Sequence, residues 1–259
     1  MTDIIKKESP PTTGLSLNKG KLKAFGGTPF QQRVNQARAS QPDAASLPNR
    51  LCLMLDRSSS MSSFAGAVGQ SSKDEPKIEL LKKAIDDFVS RCDLTNTAIA
   101  VETFPASLSL DLTNVSIMIT TSVATISASG NTPMRSCVQL CLEKVPMTRG
   151  IIVSDGEATD WHCYDLGDDG EEVATSTKDE LLAKYKASQT PIDCVHIGDS
   201  SSGEELLRRI ARETSGIYLK FTDVNAFSKG FSYLTPGYRA MLTDGRVDAA
   251  QLGATEVRR

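Results

Sequence analysis

From residue 49 onward the chain alternates short, wholly apolar runs with longer stretches of helical period. Residues 50–56 (RLCLMLD) form an unbroken apolar run, the pattern of a strand covered on both faces. Residues 76–92 then place Ile78, Leu81, Ala84/Ile85, Phe88 and Val89 on one stripe, which predicts an amphipathic helix with Pro76 in its first turn. A second buried strand is expected at 98–104 (AIAVETF), followed by a short alternating strand at 107–112. Pro105 nearby suits an edge turn better than the centre of a sheet. Further along, a helix is predicted at 133–145, a strand at 149–154 and a polar, acidic loop at 157–176. A helix near 177–188, a strand at 191–198, a helix at 203–214, a strand at 216–221 and a last helix at about 223–234 follow.

Strands that alternate with helices imply a mostly parallel sheet clothed on both sides. The fold class expected is therefore α/β, a doubly wound, Rossmann-like, six-stranded sheet with helices on both faces and extended N- and C-terminal arms. If the strand order is 3-2-1-4-5-6, the strands ending at Asp56 and Asp155 are neighbours. They would then flank the crevice at the carboxyl ends of the strands, where open α/β sheets take their ligands. No internal repeat is present.

Composition divides the chain further. Residues 1–48 are rich in Pro, Gln, Ser, Lys and Gly without sustained period, as in a tail or arm. Residues 1–50 hold eight Lys/Arg against three Asp/Glu, so a net charge of −3 hides a basic start and an acidic body. The overall charge gives no reason to expect a nucleic-acid partner. No apolar run is long enough to span a bilayer, and the first residues lack the apolar centre of a secretory signal. The six cysteines are scattered and form no CxxC pair, so they are expected as reduced core residues of a cytoplasmic protein. Cys137 and Cys141, four apart on one helix, share a face and are expected to pack against the sheet.

The candidate chemistry lies at three strand or helix ends. Asp56-Arg57-Ser58-Ser59-Ser60 reads D-x-S-x-S; Gly130-Asn131-Thr132-Pro133 sets a hydroxyl at the mouth of a helix; Ser154-Asp155-Gly156-Glu157 closes another strand. Two carboxylates and three hydroxyls are hard oxygen donors, suited to Mg²⁺ or Mn²⁺. These three motifs, in this order, resemble the metal-ion-dependent adhesion site of von Willebrand factor A domains. The similarity covers roughly residues 49–234, including VHIG and LLRRIARETSGIYLKF near the end. It implies that Ser58, Ser60 and, in the binding-competent state, Thr132 contact the cation, with Asp56 and Asp155 acting mainly through bound waters. It also implies an adaptor that grips an Asp or Glu of a protein partner, in a setting such as a multi-protein assembly or an AAA-type ATPase system.

Other sites are weaker. The acidic loop, with Asp160, His162, Cys163, Asp165, Asp168, Asp169, Glu171 and Glu172, matches no EF-hand or zinc spacing. Trp161 and Tyr164 in it are expected either at a partner-contact rim or packed against the body. A haloacid dehalogenase-type phosphatase, suggested by Asp56 and Gly198-Asp199-Ser200, lacks its general acid, because Ser58 stands where the second Asp is needed. There is no G-x-S-x-G elbow and no glycine-rich phosphate loop. His196 is expected in the core. The competing functional class is a structural subunit held mainly by its terminal arms. No task is assigned to residues 235–259.

Overall fold

The computed structural model describes residues 42–63, 75–156, 158–161, 164–166, 172–174, 179–198, 201–222 and 224–258. The expectations for the N-terminal arm, apart from its last residues, and for Glu157, His162, Cys163, Asp168, Asp169, Glu171, Asp199 and Ser200 lie outside these.

Parallel strands β1 (Asn49–Asp56), β2 (Thr97–Phe104), β4 (Arg149–Ser154), β7 (Ile192–Ile197) and β8 (Tyr218–Phe221) form the sheet, with antiparallel β3 (Ser109–Thr113) at one edge. Their order is β3-β2-β1-β4-β7-β8, the 3-2-1-4-5-6 order expected from the alternating pattern. β1 lies in the interior of the sheet, between β2 and β4, and its residues alternate between two cores. Leu51, Leu53 and Leu55 enter one cluster; Cys52 and Met54 enter the other.

Helices α1 (Lys77–Arg91), α2 (Ser116–Ala124) and α6 (Val224–Phe231) cover the first face. The predicted stripe of α1 is the side that meets the sheet: Ile78, Leu81, Ala84, Ile85, Phe88 and Val89 are all buried. Helices α3 (Met134–Lys144), α4 (Glu180–Ala187) and α5 (Ser201–Thr214) cover the second face. Cys137 and Cys141 of α3 pack there against Cys52, with the Cys52 and Cys141 sulfurs 3.4 Å apart, and that contact, together with burial, pushes the Cys52 thiol well up. The sequence pattern missed α2. Its Ile, Thr and Val residues are β-branched, which weakens helix propensity, and it shows no clean stripe.

The C-terminal segment corrects the expectation of an extended arm. Residues after 235 form α7 (Pro236–Thr243) and α8 (Ala249–Leu252), then β9 (Glu256–Arg258), which pairs antiparallel with β8. The sheet therefore has seven strands, one more than predicted. Leu242, Val247, Leu252 and Ala254 join the first core cluster, so burial of apolar surface holds this segment down. A capping box of Asp248 and Gln251 starts α8, and Gly253, at φ +69°, ends it in the left-handed conformation. Within the acidic loop, β5 (Tyr164–Leu166) and β6 (Glu172–Ala174) pair as a small antiparallel ribbon. Among the described residues, no helix is long and apolar enough to cross a membrane.

Candidate metal centre

β1 and β4 are hydrogen-bonded neighbours, with Leu55 opposite Val153, so Asp56 and Asp155 emerge side by side at the carboxyl end of the sheet. The chain after Asp56 turns at once into a short 3-10 helix, Ser59–Ser62. Met61, fully buried in the first core cluster, anchors this turn from below. Asp56 Oδ1 accepts the Ser58 backbone N–H at 2.7 Å, an Asx-type contact that fixes the bend.

The loop before α3 is clamped onto the same turn. Ser59 N–H donates to Gly130 O at 2.9 Å, Gly130 N–H donates to Ser59 Oγ at 3.0 Å, and Ser129 N–H donates to Arg57 O. Gly130 has φ +84°, and a Cβ there would stand 2.9 Å from Pro105, so a glycine is needed on both counts. Pro133 caps α3 and leaves Thr132 buried just ahead of it. The Thr132 carbonyl accepts the N–H groups of Met134 and Thr159, which fixes its backbone.

A continuous chain of hydroxyl and carboxylate oxygens results. Ser58 Oγ and Ser60 Oγ are 2.9 Å apart, and Ser60 Oγ donates to Asp155 Oδ1 at 2.7 Å. Asp56 is wholly buried and its Oδ2 accepts the Ser154 hydroxyl at 2.5 Å. Burial raises the Asp56 carboxyl to about 6, against the opposing hydrogen bonds from Ser154 and Ser58, and the Asp155 charge pushes the same way as burial. Asp155 is also buried, and its Oδ2 accepts from Lys77 Nζ at 2.6 Å.

Asp56, Ser58, Ser60 and Asp155 thus form one hydrogen-bonded cluster. Thr132 is on the loop clamped to that cluster; among the described residues no hydrogen bond joins its side chain to the other four. The donor set is all oxygen, two of its members are carboxylates, and an ammonium group already pairs with one of them. These residues fit a small hard cation. They do not suit zinc or copper, and among the described residues no cluster of three or more His, Cys, Asp or Glu side chains is placed to hold a metal.

Two participants were not found from the sequence. Ser154 follows from strand geometry, because it precedes Asp155 on β4 and turns the other way, toward Asp56. Lys77 carried a subtler signal: a cation at the first position of a helix opposes the helix dipole, so it needs a local acid to justify it.

The acidic loop has structural duties at its near end. Asp160 caps α3, accepting from the backbone N–H groups of Arg135 and Ser136, both at 2.9 Å. Trp161 is buried rather than at an exposed rim. Its indole N–H donates to Asp179 at 2.7 Å, and the Arg135 guanidinium lies over its ring. His196 is fully buried on β7, as expected of a core histidine.

No family profile matches the sequence, and no curated protein matches it. The strand order, the helix layers and the position of the acidic crevice define a von Willebrand factor A-type fold. Solved structures share it. The von Willebrand factor domain of the type V pili tip protein Mfa5 from Porphyromonas gingivalis is 10% identical, with a TM-score of 0.53 over 75% of this chain and 96% of that one. A D319A mutant of the PilB minor pilin from Streptococcus sanguinis is 12% identical, with a TM-score of 0.51 over 80% of this chain and 65% of that one. Proximal thread matrix protein 1 from the mussel byssus is 15% identical, with a TM-score of 0.51 over 71% and 43%. The chain spans less than two thirds of the last two. At such identities the likeness concerns the fold alone.

Proposed function

We propose that the chain is a metal-dependent protein-interaction module. Asp56, Ser58, Ser60, Thr132 and Asp155 hold Mg²⁺ or Mn²⁺, and the site takes an Asp or Glu side chain of a protein partner. The observation that carries this reading is the oxygen cluster at the crevice between β1 and β4, where Ser58, Ser60 and Asp155 are linked at 2.7–2.9 Å. When bound, a divalent cation supplies an electron-poor position for a carboxylate, since Ser58, Ser60 and Thr132 add no negative charge and Lys77 already offsets part of that on Asp155.

The chain's own residues do the positioning. Asp56 holds Ser58 through its backbone N–H, and Ser154 fixes the other Asp56 oxygen. Ser60 and Lys77 hold Asp155 from its two sides. Met61 keeps the whole turn seated on the core. Such a preorganised set costs little reordering on binding. Two of the similar structures come from a pili tip protein and a minor pilin, which supports an interaction role within an assembly. An AAA-type ATPase system is one such assembly consistent with the sequence resemblance.

The competing reading is a structural subunit held mainly by its terminal arms, of which the N-terminal one lies largely outside the described residues. Residues 236–258 fold onto the core, and so give it no support. The experiment is recovery of partners from a lysate with Mg²⁺, with EDTA, and with Asp56→Ala in Mg²⁺. Loss of the same partners in the second and third arms is expected. Recovery of identical partners in all three would end the proposal.

A further inference from the structure

At the opposite end of the sheet, beneath the amino ends of β1, β4 and β7, lies a cavity of about 410 Å³. Arg149, the first residue of β4, and Arg239 of α7 both line it, along with Asn49, Thr148, Pro236 and Thr243. Both guanidiniums reach the same carboxylate, that of fully buried Asp193. Arg149 Nη1 donates to Asp193 Oδ2 at 3.1 Å, and its Nη2 donates to Leu234 O at 2.6 Å. Arg239 grips Asp193 with a two-pronged contact, Nε to Oδ2 and Nη2 to Oδ1, both at 2.9 Å.

The charges do not balance. Asp193 Oδ1 accepts from Ile217 N–H and Arg239, and Oδ2 accepts from Arg149 and Arg239. A carboxylate has about four acceptor positions, so Asp193 is saturated. Among the described residues no second carboxylate forms an ion pair with either arginine. Two cations therefore share one anion, and one positive charge is left over between Arg149, only 5% exposed, and Arg239, whose side chain keeps 21% exposure on the cavity side. Uncompensated charge at such a depth is expensive, and a well-placed counter-charge relieves it. Arg239 Nη1 makes no hydrogen bond among the described residues, although its side chain borders the cavity. Burial and the neighbouring Arg239 charge lower the Arg149 pKa against Asp193, whereas for Arg239 the Asp193 contacts outweigh burial and raise it.

We propose that this cavity is a binding site for a small oxyanion, a phosphate or carboxylate group, held by Arg149 and Arg239. Planar guanidiniums present paired N–H donors that match both groups. A volume of about 410 Å³ exceeds what a single oxyanion fills, so the ligand carries a small uncharged remainder against Pro236 and Thr243. The sequence ahead of β1 is rich in Lys and Arg, and so has the wrong overall charge to serve as the occupant. The site is independent of the metal crevice, and it stands or falls without it.

The test titrates the full-length chain with inorganic phosphate and, separately, with acetate, with ionic strength held constant by NaCl. Thermal unfolding and guanidinium N–H NMR signals are the readouts. A saturable rise in Tm of about 3–5 °C at tenfold excess over Kd is expected, with shifts of the Arg149 and Arg239 signals. The stronger of the two anions identifies the ligand class. Arg239→Gln should abolish the saturable response. Because that variant also loosens α7, a second one uses Ala240→Glu, which places a carboxylate at an exposed position lining the cavity. It should raise Tm and remove the phosphate and acetate responses. A response no larger than that to NaCl, or one that survives in Ala240→Glu, would overturn the assignment.

Discussion

Replacing Lys77 by Met should destabilise the metal-free protein and tighten its grip on a divalent cation. The Asp155 side chain is wholly buried, and its Oδ2 receives Lys77 Nζ at 2.6 Å, while Oδ1 receives only a neutral hydroxyl from Ser60. Removing the ammonium leaves a buried carboxylate with a single neutral donor. Breaking a buried ion pair from one side costs about 3–5 kcal/mol. The Lys77 side chain retains 15% exposure, which lets water reach the gap and brings the loss down to about 1.5–3 kcal/mol. A bound cation next to Asp155 restores the missing positive charge, so the metal-bound state suffers less than the free one. By linkage the difference is returned as affinity, at about 1.4 kcal/mol per factor of ten. The expected gain in Mg²⁺ or Mn²⁺ affinity is therefore about 10- to 100-fold. Calorimetric titration measures it directly, and thermal unfolding with and without Mg²⁺ checks the other side of the cycle. An unchanged or weaker metal affinity, or a Tm loss that Mg²⁺ does not reduce, would refute the reasoning.

Two further perturbations address the scaffold. Asp179→Ala removes the cap of α4 together with the acceptor for Trp161 and Arg135, and should cost about 2 kcal/mol near neutral pH. Burial raises the Asp179 carboxyl, but the Trp161 indole, Arg135 and the α4 amides outweigh it and hold it below its ordinary value of 3.8. A carboxyl depressed on folding stabilises fully above its unfolded value, and that support is lost as pH falls through the lower folded one. The gap between wild type and variant should thus narrow below about pH 4, read by fluorescence of the single tryptophan; a gap constant down to pH 2 would contradict it. Leu252→Ala, in the segment expected to be a loose arm, should cost about 2–4 kcal/mol, because Leu252 is fully buried. Denaturant unfolding decides this, and a loss within 0.5 kcal/mol would return the segment to the status of an appendage.

What the sequence disclosed follows from how regular each local signal is. The central strands announce themselves because sheets covered on both faces demand unbroken apolar runs, and RLCLMLD or RGIIVS admit few other structures. Asp56 and Asp155 could be brought together from topology alone, since each ends a strand beside the switch point. Thr132 could not, for its approach depends on loop contacts through Gly130 and Ser59 that no periodicity encodes. The C-terminal fold was obscured by short elements. Helices of eight and four residues bury one side chain apiece, too few to draw a stripe. Yet Asp248, Gln251 and Gly253 do spell out a start and a stop, and that punctuation was legible. Lys77 and Arg149 escaped for a common reason. Basic residues are ordinarily solvated, and only the partner's position reveals that these two are not.

The two charged sites share strands. β4 begins at Arg149 and is followed immediately by Asp155, so one segment carries the cation of the lower cavity and an anion of the upper crevice. Six residues of strand separate them by roughly 20 Å. Direct Coulombic coupling over that distance is small at physiological salt, where the screening length is about 8 Å. Coupling would therefore have to pass through β4 as a shift of the strand. Ile151, Ile152 and Val153 lie fully buried between two packed layers, and a close-packed core leaves no free volume for such a shift. The stability changes of Lys77→Met and Arg239→Gln should then add to within about 0.5 kcal/mol in the double variant. A larger discrepancy in denaturant unfolding would show that β4 moves as a unit and that occupancy at one end of the sheet is felt at the other.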